Sequence, residues 1–265
     1  MILILFYAIT DSGNGIVSFR LTLEHFAKFF TDPDFLLILW RSIGIAIKTT
    51  VICIIIGYPV AYYMANSSER LQNMLVLIIT IPTWINMLVR TYAWIGILSD
   101  GGILCTILGL LGFKDVKLLY TEGAVILGMV YNFIPFMILQ INTSLSKMDH
   151  SLIQAAADLG ANNRQCFMKV TLPLSLPGVV NGIALVFLPA VSSFFIPKML
   201  GGGQYYLIGN VIENQFITVG EWNFGSAISI IMAAVMMAFM YIVRAIERRN
   251  STVEEDDRRR RGDAL

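Results

Sequence analysis

Apolar and polar positions in this chain do not alternate at short periods. They gather into long apolar runs divided by polar links. A run of about 20 apolar residues crosses a bilayer as a helix. Five runs reach that length: 42–65, 72–96, 123–145, 178–199 and 224–246. Trp40 and the pair Tyr62 and Tyr63 flank the first as interface aromatics, and Lys48 interrupts it near one end, where its stem can snorkel. Residues 1–9 are wholly apolar but cover only about 14 Å at helical rise. They lack the basic start and cleavage site of a signal peptide and read as the second half of a further span. The stretches 10–34, 99–122 and 200–223 read as loops, the first marked by Asp11, Gly13, Asn14, Gly15, Asp32 and Pro33. Within 99–122 the patch 103–111 is too short to span and reads as an interfacial or re-entrant helix. Pro59, Pro82, Pro135 and Pro189 lie inside spans, as tolerated kinks or as points of bending. The pattern predicts an all-α polytopic membrane bundle with five full spans and a partial one at the N-terminus.

Composition agrees. Of 265 residues, 56% are hydrophobic and 14% charged, against about 25% charged in a soluble domain. That balance disfavours a soluble enzyme and excludes disorder for most of the chain. Net charge is +1, so there is no global field for nucleic acid. Cys53, Cys105 and Cys166 form no CxxC pair, and His25 and His150 have no partner at metal-ligand spacing, so no metal site is expected. Basic residues set orientation. Arg70, Lys147, Arg164, Lys169, Arg248, Arg249 and Arg258 to Arg261 gather on one side, with Arg244 at the membrane edge. Arg20, Lys28, Arg41, Lys114 and Lys117 lie on the other. The bias places 146–177 and the tail in the cytoplasm. The tail, 247–265, carries the run EEDDRRRR and reads as a charged, disordered segment outside a transmembrane domain of 1–246.

The loop 146–177 is long, polar and helix-favouring. Leu152, Ala155, Ala156 and Leu159 recur at helical spacing and make one apolar face. Gly160 then stands where a helix C-terminus wants glycine. A second helix is expected over 162–171, stopping at Pro173. Two short helices joined at a glycine suit docking into a partner's groove, and the alternative is a helix lying on the lipid surface.

The same residues resemble the cytoplasmic loop of ABC importer permeases. That family carries Glu-Ala-Ala, three residues, Gly, nine residues, Ile, one residue, Leu-Pro. Here Gln154, Ala155, Ala156, Gly160, Val170, Leu172 and Pro173 keep every spacing, with Gln for Glu and Val for Ile. The Gln removes a charge that in the family is thought to meet a basic residue of the ATPase. Further segments resemble the spermidine/putrescine permeases of the PotB type: Ile56 to Pro59, Leu118 to Phe136, Gly201 to Asn210 and Trp222 to Ala227. The resemblance covers nearly the whole chain. It implies a type I ABC importer permease with six spans, moving spermidine or putrescine by alternating access. It implies a docking loop of Gln154, Ala155, Ala156, Asp158, Gly160, Val170, Leu172 and Pro173. It also implies four kinds of partner: a second homologous permease, two ABC ATPase copies, an extracytoplasmic polyamine-binding protein and the bilayer. ATP would be bound by the ATPase, since Gly109 to Lys114 fails the phosphate-loop pattern, and no cofactor is expected on this chain.

A polycation needs acceptors and aromatic faces along its path. The candidates are Thr83, Trp84, Asn86, Tyr131, Asn132, Ser192 and Ser193, each with interhelical bonding or packing as the commoner role. Thr83, Asn86 and Arg90 follow at i, i+3 and i+7 and would share a helix face. Arg90 would repel a cation, so it is expected to pair with an acid or to point to the outer interface. Asp100, Glu122, Glu213 and Glu221 lie on the outer side, as cation attractors, as binding-protein contacts or as solvated charges. Gly178 to Gly182 forms one GxxxG, which permits close helix approach. Two rival classes remain. A channel or structural subunit has no need of a paired-helix knob. A membrane enzyme wants clustered acids, His or Cys at membrane depth, and the five runs hold no acid.

Overall fold

The structure is a computed structural model describing residues 2–12, 19–112, 117–149 and 151–262. Gly13, Asn14, Gly15, Lys114 and His150 lie outside the described residues. Apolar segments in lipid must satisfy their backbone groups internally, which favours helix. The chain obeys this over most of its length. The short helix α1 (Ile2–Ile9) leads into an antiparallel ladder, β1 (Thr10–Ser12) with β2 (Phe19–Leu21), pairing Thr10 with Leu21. Next comes α2 (Glu24–Thr31). The segment 10–34, expected to be loop, is therefore mostly ordered: Phe29 of α2 is fully buried and stacks on Phe35.

Helix α3 (Pro33–Ala65) starts nine residues before the expected span. Asp32 caps it by accepting from the Asp34 N–H at 3.0 Å, and Pro33 fits the first turn, where its missing N–H is harmless. Lys48 is consequently well inside α3, and its exposed stem runs toward the end of the bundle. Its Nζ meets Glu122 Oε1 at 2.5 Å, at the start of α7 (Glu122–Ser146). The central packing is α3 against α7, and α10 (Leu172–Ser192) against both. Cys53, Ala46, Met129, Met137, Ile141 and Val186 are fully buried there. Gly178 and Gly182 bring α10 close to α7. A Cβ at Gly178 would lie 2.4 Å from Ser144 Cβ and 2.7 Å from Gln140 O, and one at Gly182 would lie 2.5 Å from Met137 Sδ.

Five stretches are long and apolar enough to cross a membrane: Pro33–Ala65, Met87–Leu110, Glu122–Ser146, Asn163–Ser192 and Trp222–Ala245. The expected single span at 72–96 is in fact two helices, α4 (Glu69–Trp84) and α5 (Met87–Leu98). Pro82 withholds an N–H three residues before the break, and Asn86 caps α5 by accepting from the Leu88 N–H at 2.8 Å. At one end of this pair Gln72 of α4 reaches Ser146 Oγ at 2.6 Å, and α5 packs beside the middle of α7. Helix α6 (Ile103–Leu110), the expected short helix, follows α5 after a turn and contacts it, the two making up the stretch Met87–Leu110.

The expected fourth span, 178–199, is also divided. Helix α10 ends at Ser192, three residues past Pro189, and α11 (Phe195–Leu200) follows. The segment 200–223, expected as loop, holds α12 (Ile208–Asn214) and a π-helical turn (Gln215–Val219). Leu207 and Ile208 are fully buried, and the Ile208 N–H donates to Ser42 Oγ of α3 at 2.8 Å. Helix α13 (Trp222–Gly262) packs on α1, α2 and α10. Its last part replaces the expected disordered tail. Glu254, Glu255, Asp256 and Asp257 each precede an Arg by four residues, the spacing and order that favour helix.

Candidate docking knob and substrate path

Between α7 and α10 the chain forms a knob. Helix α8 (Ser151–Asp158) is followed by Leu159 and then by Gly160 at φ +83°, a conformation that suits glycine. The Ala161 N–H donates to Ala156 O at 3.1 Å and the Gly160 N–H to Ala157 O at 2.9 Å, which closes the end of α8 as a Schellman motif. Two residues on, Asn162 starts α9 (Asn163–Cys166) with a reciprocal capping box. Asn162 Oδ1 accepts from the Gln165 N–H and Gln165 Oε1 from the Asn162 N–H, both at 2.9 Å. A sealed end directly followed by a sealed start fixes the angle between α8 and α9.

Helix α9 does not stop at Pro173. It runs through a π-helical turn (Phe167–Thr171) straight into α10, with the Leu172 N–H donating to Phe167 O. The wider turn falls where the Pro173 ring would press on the preceding turn of a regular helix, so the proline is absorbed. The knob is thus a rigid extension of α10. Phe167 packs edge-on against Tyr58 and Tyr62 of α3, with ring centroids 5.8 and 5.6 Å apart. Tyr58 also shares a 2.8 Å hydrogen bond with Ser175 of α10. Tyr62, expected as an interface aromatic, belongs to this joint. Phe167 carries no motif of its own, and Tyr58, although within the Ile56 to Pro59 segment that carries the resemblance, gave no sign of this joint.

Of the docking residues, Gln154, Ala155, Asp158, Gly160 and Pro173 are exposed, and Ala156, Val170 and Leu172 are half-buried. Leu159 is 90% exposed. The apolar face of α8 is therefore not consumed by the chain's own core.

The path candidates scatter more. Trp84 and Asn86 are exposed at the break between α4 and α5. The break removes the shared helical face expected for Thr83, Asn86 and Arg90, although Asn86 and Arg90 remain one turn apart in α5. Thr83 Oγ1 donates to Thr80 O at 2.6 Å, and Ser192 Oγ to Leu188 O at 3.1 Å. Both bonds are within a helix, where interhelical bonding was the expected role. Ser193 sits in the gap between α10 and α11. Asn132 is 3% exposed and donates to Gly128 O, so it belongs to the interior. Tyr131 packs edge-on against Trp94 of α5. Three of the four acids expected on the outer side are engaged by lysines: Glu122 by Lys48, Glu213 by Lys198 at 2.6 Å and Glu221 by Lys28 at 3.7 Å. Asp100 is exposed.

A multi-pass helix bundle with broken helices and a rigid projecting knob has the build of a transporter's membrane subunit. Residues 57–252 match the family of binding-protein-dependent transport system inner membrane components, and the chain belongs to that family. It is 37% identical over 249 residues to the spermidine/putrescine transport system permease protein PotB of Haemophilus influenzae, across 93% of this chain and 87% of that one. It is 35% identical to PotB of Escherichia coli, across 93% and 90%. The inner membrane ABC transporter permease protein YdcU of Escherichia coli is 30% identical, across 89% and 80%. Among solved structures, a bacterial alginate ABC transporter chain superimposes with a TM-score of 0.69 at 17% identity, covering 86% of this chain and 83% of that one. A chain of the inward-facing MetNI methionine ABC transporter gives 0.61 at 18%, covering 81% and 95%. These show the shared fold. The family consists of transport subunits rather than enzymes. Its name implies a binding protein, and the ABC transporter setting implies a permease partner and an ATPase.

Proposed function

We propose that this chain is the permease subunit of an ATP-driven importer of spermidine and putrescine. The observation that carries this reading is 35–37% identity to PotB proteins over nine-tenths of the chain. The assembly comprises a second homologous permease, two copies of an ABC ATPase and an extracytoplasmic polyamine-binding protein, set in the inner membrane. ATP is bound by the ATPase. The basic residues of 146–177 and of the tail orient both to the cytoplasm.

The knob is the ATPase docking element, with Gln154, Ala155, Asp158 and Gly160 on its exposed side, Ala156 half-buried beside them, and Val170, Leu172 and Pro173 at its root. A push on α8 passes through the fixed α8–α9 angle into the continuous α9–α10 rod. It reaches α3 through Phe167 and the two tyrosines. Rigid elements bearing on helix breaks suit alternating access, in which segments rock about a site at membrane depth. The break at Trp84 and Asn86 and the gap at Ser192 and Ser193 are the places where the path bends, and Trp84 offers an aromatic face to an ammonium group. Labelled spermidine and putrescine uptake, measured in cells with and without this chain and with its companion subunits present, tests the reading. Uptake that needs both the chain and ATP supports it. An ATPase that co-purifies without polyamine uptake would keep the importer and overturn the substrate.

A further inference from the structure

Arg90 is the feature that nothing above uses. It lies in α5, and its guanidinium carbon sits 6.0 Å from the ring centroid of Tyr131 in α7. Tyr131 is nine residues from the Glu122 end of α7 and fifteen from the Ser146 end. At helical rise that is about 13 Å and about 22 Å of membrane helix on either side. The side chain is therefore at membrane depth. Nε and Nη1 are buried and have no hydrogen-bond partner. The third nitrogen, Nη2, is not sealed in this way. Among the described residues the ion pairs are those of Lys28, Lys48 and Lys198, so no acid answers Arg90. A permanently charged guanidinium at this depth is expensive unless an acceptor meets it.

Nε and Nη1 are closed to any outside group, so a counter-charge from outside this chain reaches the guanidinium through Nη2. A polycationic substrate is repelled, and acyl chains offer no acceptor. A lipid phosphate lies beyond the helix end, while Nε and Nη1 are held at Tyr131 rather than snorkelling outward. The surface around Arg90 is open: Leu88, Val89 and Tyr92 are exposed, and α4 buries none of its residues. We propose that this α4–α5 face seats the second permease subunit, and that a carboxylate of that subunit, at membrane depth, pairs with Arg90 through Nη2. The proposal rests on the importer reading above. Arg90 is a positioning residue: it fixes the register of the two permeases rather than touching substrate.

The test uses the whole transporter, extracted in mild detergent through a tag on this chain. With Arg90→Met, recovery of the second permease should fall about tenfold at an unchanged level of this chain in the membrane, while Arg90→Lys retains most of it. Arg90→Glu should be defective in assembly and regain it when one acidic residue in a span of the second permease is changed to Arg. That rescue also shows that the variant folds. Undiminished recovery with Arg90→Met, or failure of every such acid-to-Arg change to rescue Arg90→Glu, would overturn the pair. If the unaltered chain recovers no second permease, the importer reading fails with it. The readout needs no substrate, so a wrong solute leaves the result standing.

Discussion

Gly160 does two separable things. Its φ of +83° closes α8, and a Cβ built there meets nothing within 4 Å. Left-handed backbone costs an ordinary L-residue about 1–2 kcal/mol, and Asp is among those that tolerate it best. Gly160→Asp should therefore leave the protein folded and in the membrane while adding a charge at the tip of the docking surface. ATP-driven uptake should fall at least tenfold, equivalent to about 1.4 kcal/mol of lost docking free energy, with less ATPase co-purified. Normal uptake by this variant would remove Gly160 from the docking surface. The glycine's place was legible beforehand because a glycine after an apolar helical face has few other uses. Leu159, on the face expected to meet a partner or the lipid surface, is 90% exposed.

Among the elements, α3, α7 and α13 were readable because an uninterrupted apolar run leaves the backbone little alternative to helix. The breaks were not readable. Pro82 and Pro189 look the same in sequence as Pro59 and Pro135, which sit in continuous helices, and only the cap at Asn86 and the gap at Ser193 distinguish them. Residues 201–210 hold three glycines in a row and a glutamine, the composition of a turn. The buried pair Leu207 and Ile208 nevertheless draws α12 onto α3. The GxxxG was legible as a close approach, and its two glycines are not equal. At Gly178 a methyl group meets a backbone carbonyl and Ser144 Cβ, which cannot step aside. At Gly182 it meets the movable end of Met137. Gly178→Ala should destabilise by about 1–3 kcal/mol, the usual range for overpacking, and Gly182→Ala by less. Thermal unfolding of the two purified variants checks the order, and an equal loss would mean that α7 and α10 shift as bodies.

Across the whole molecule, the knob and the membrane helices are one mechanical piece joined at Phe167. Phe167→Ala removes both tyrosine contacts and leaves α8, its glycine and its caps untouched. The expected result is a transporter that still binds its ATPase and hydrolyses ATP but moves less solute per ATP. Proportional loss of both activities would place the coupling elsewhere. The three lysine–glutamate pairs bear on a different property, the speed of capture. With three of these acids already neutralised and Asp100 left exposed, the pull on a polycation in solution is weakened, so long-range attraction by this subunit contributes less to encounter. Raising ionic strength across the physiological range, where the screening length is about 8–10 Å, would then slow uptake mainly by weakening the carrier's hold on its cargo. Scarcity of the solute would then be met by more carrier rather than by a stronger field at the mouth of this subunit.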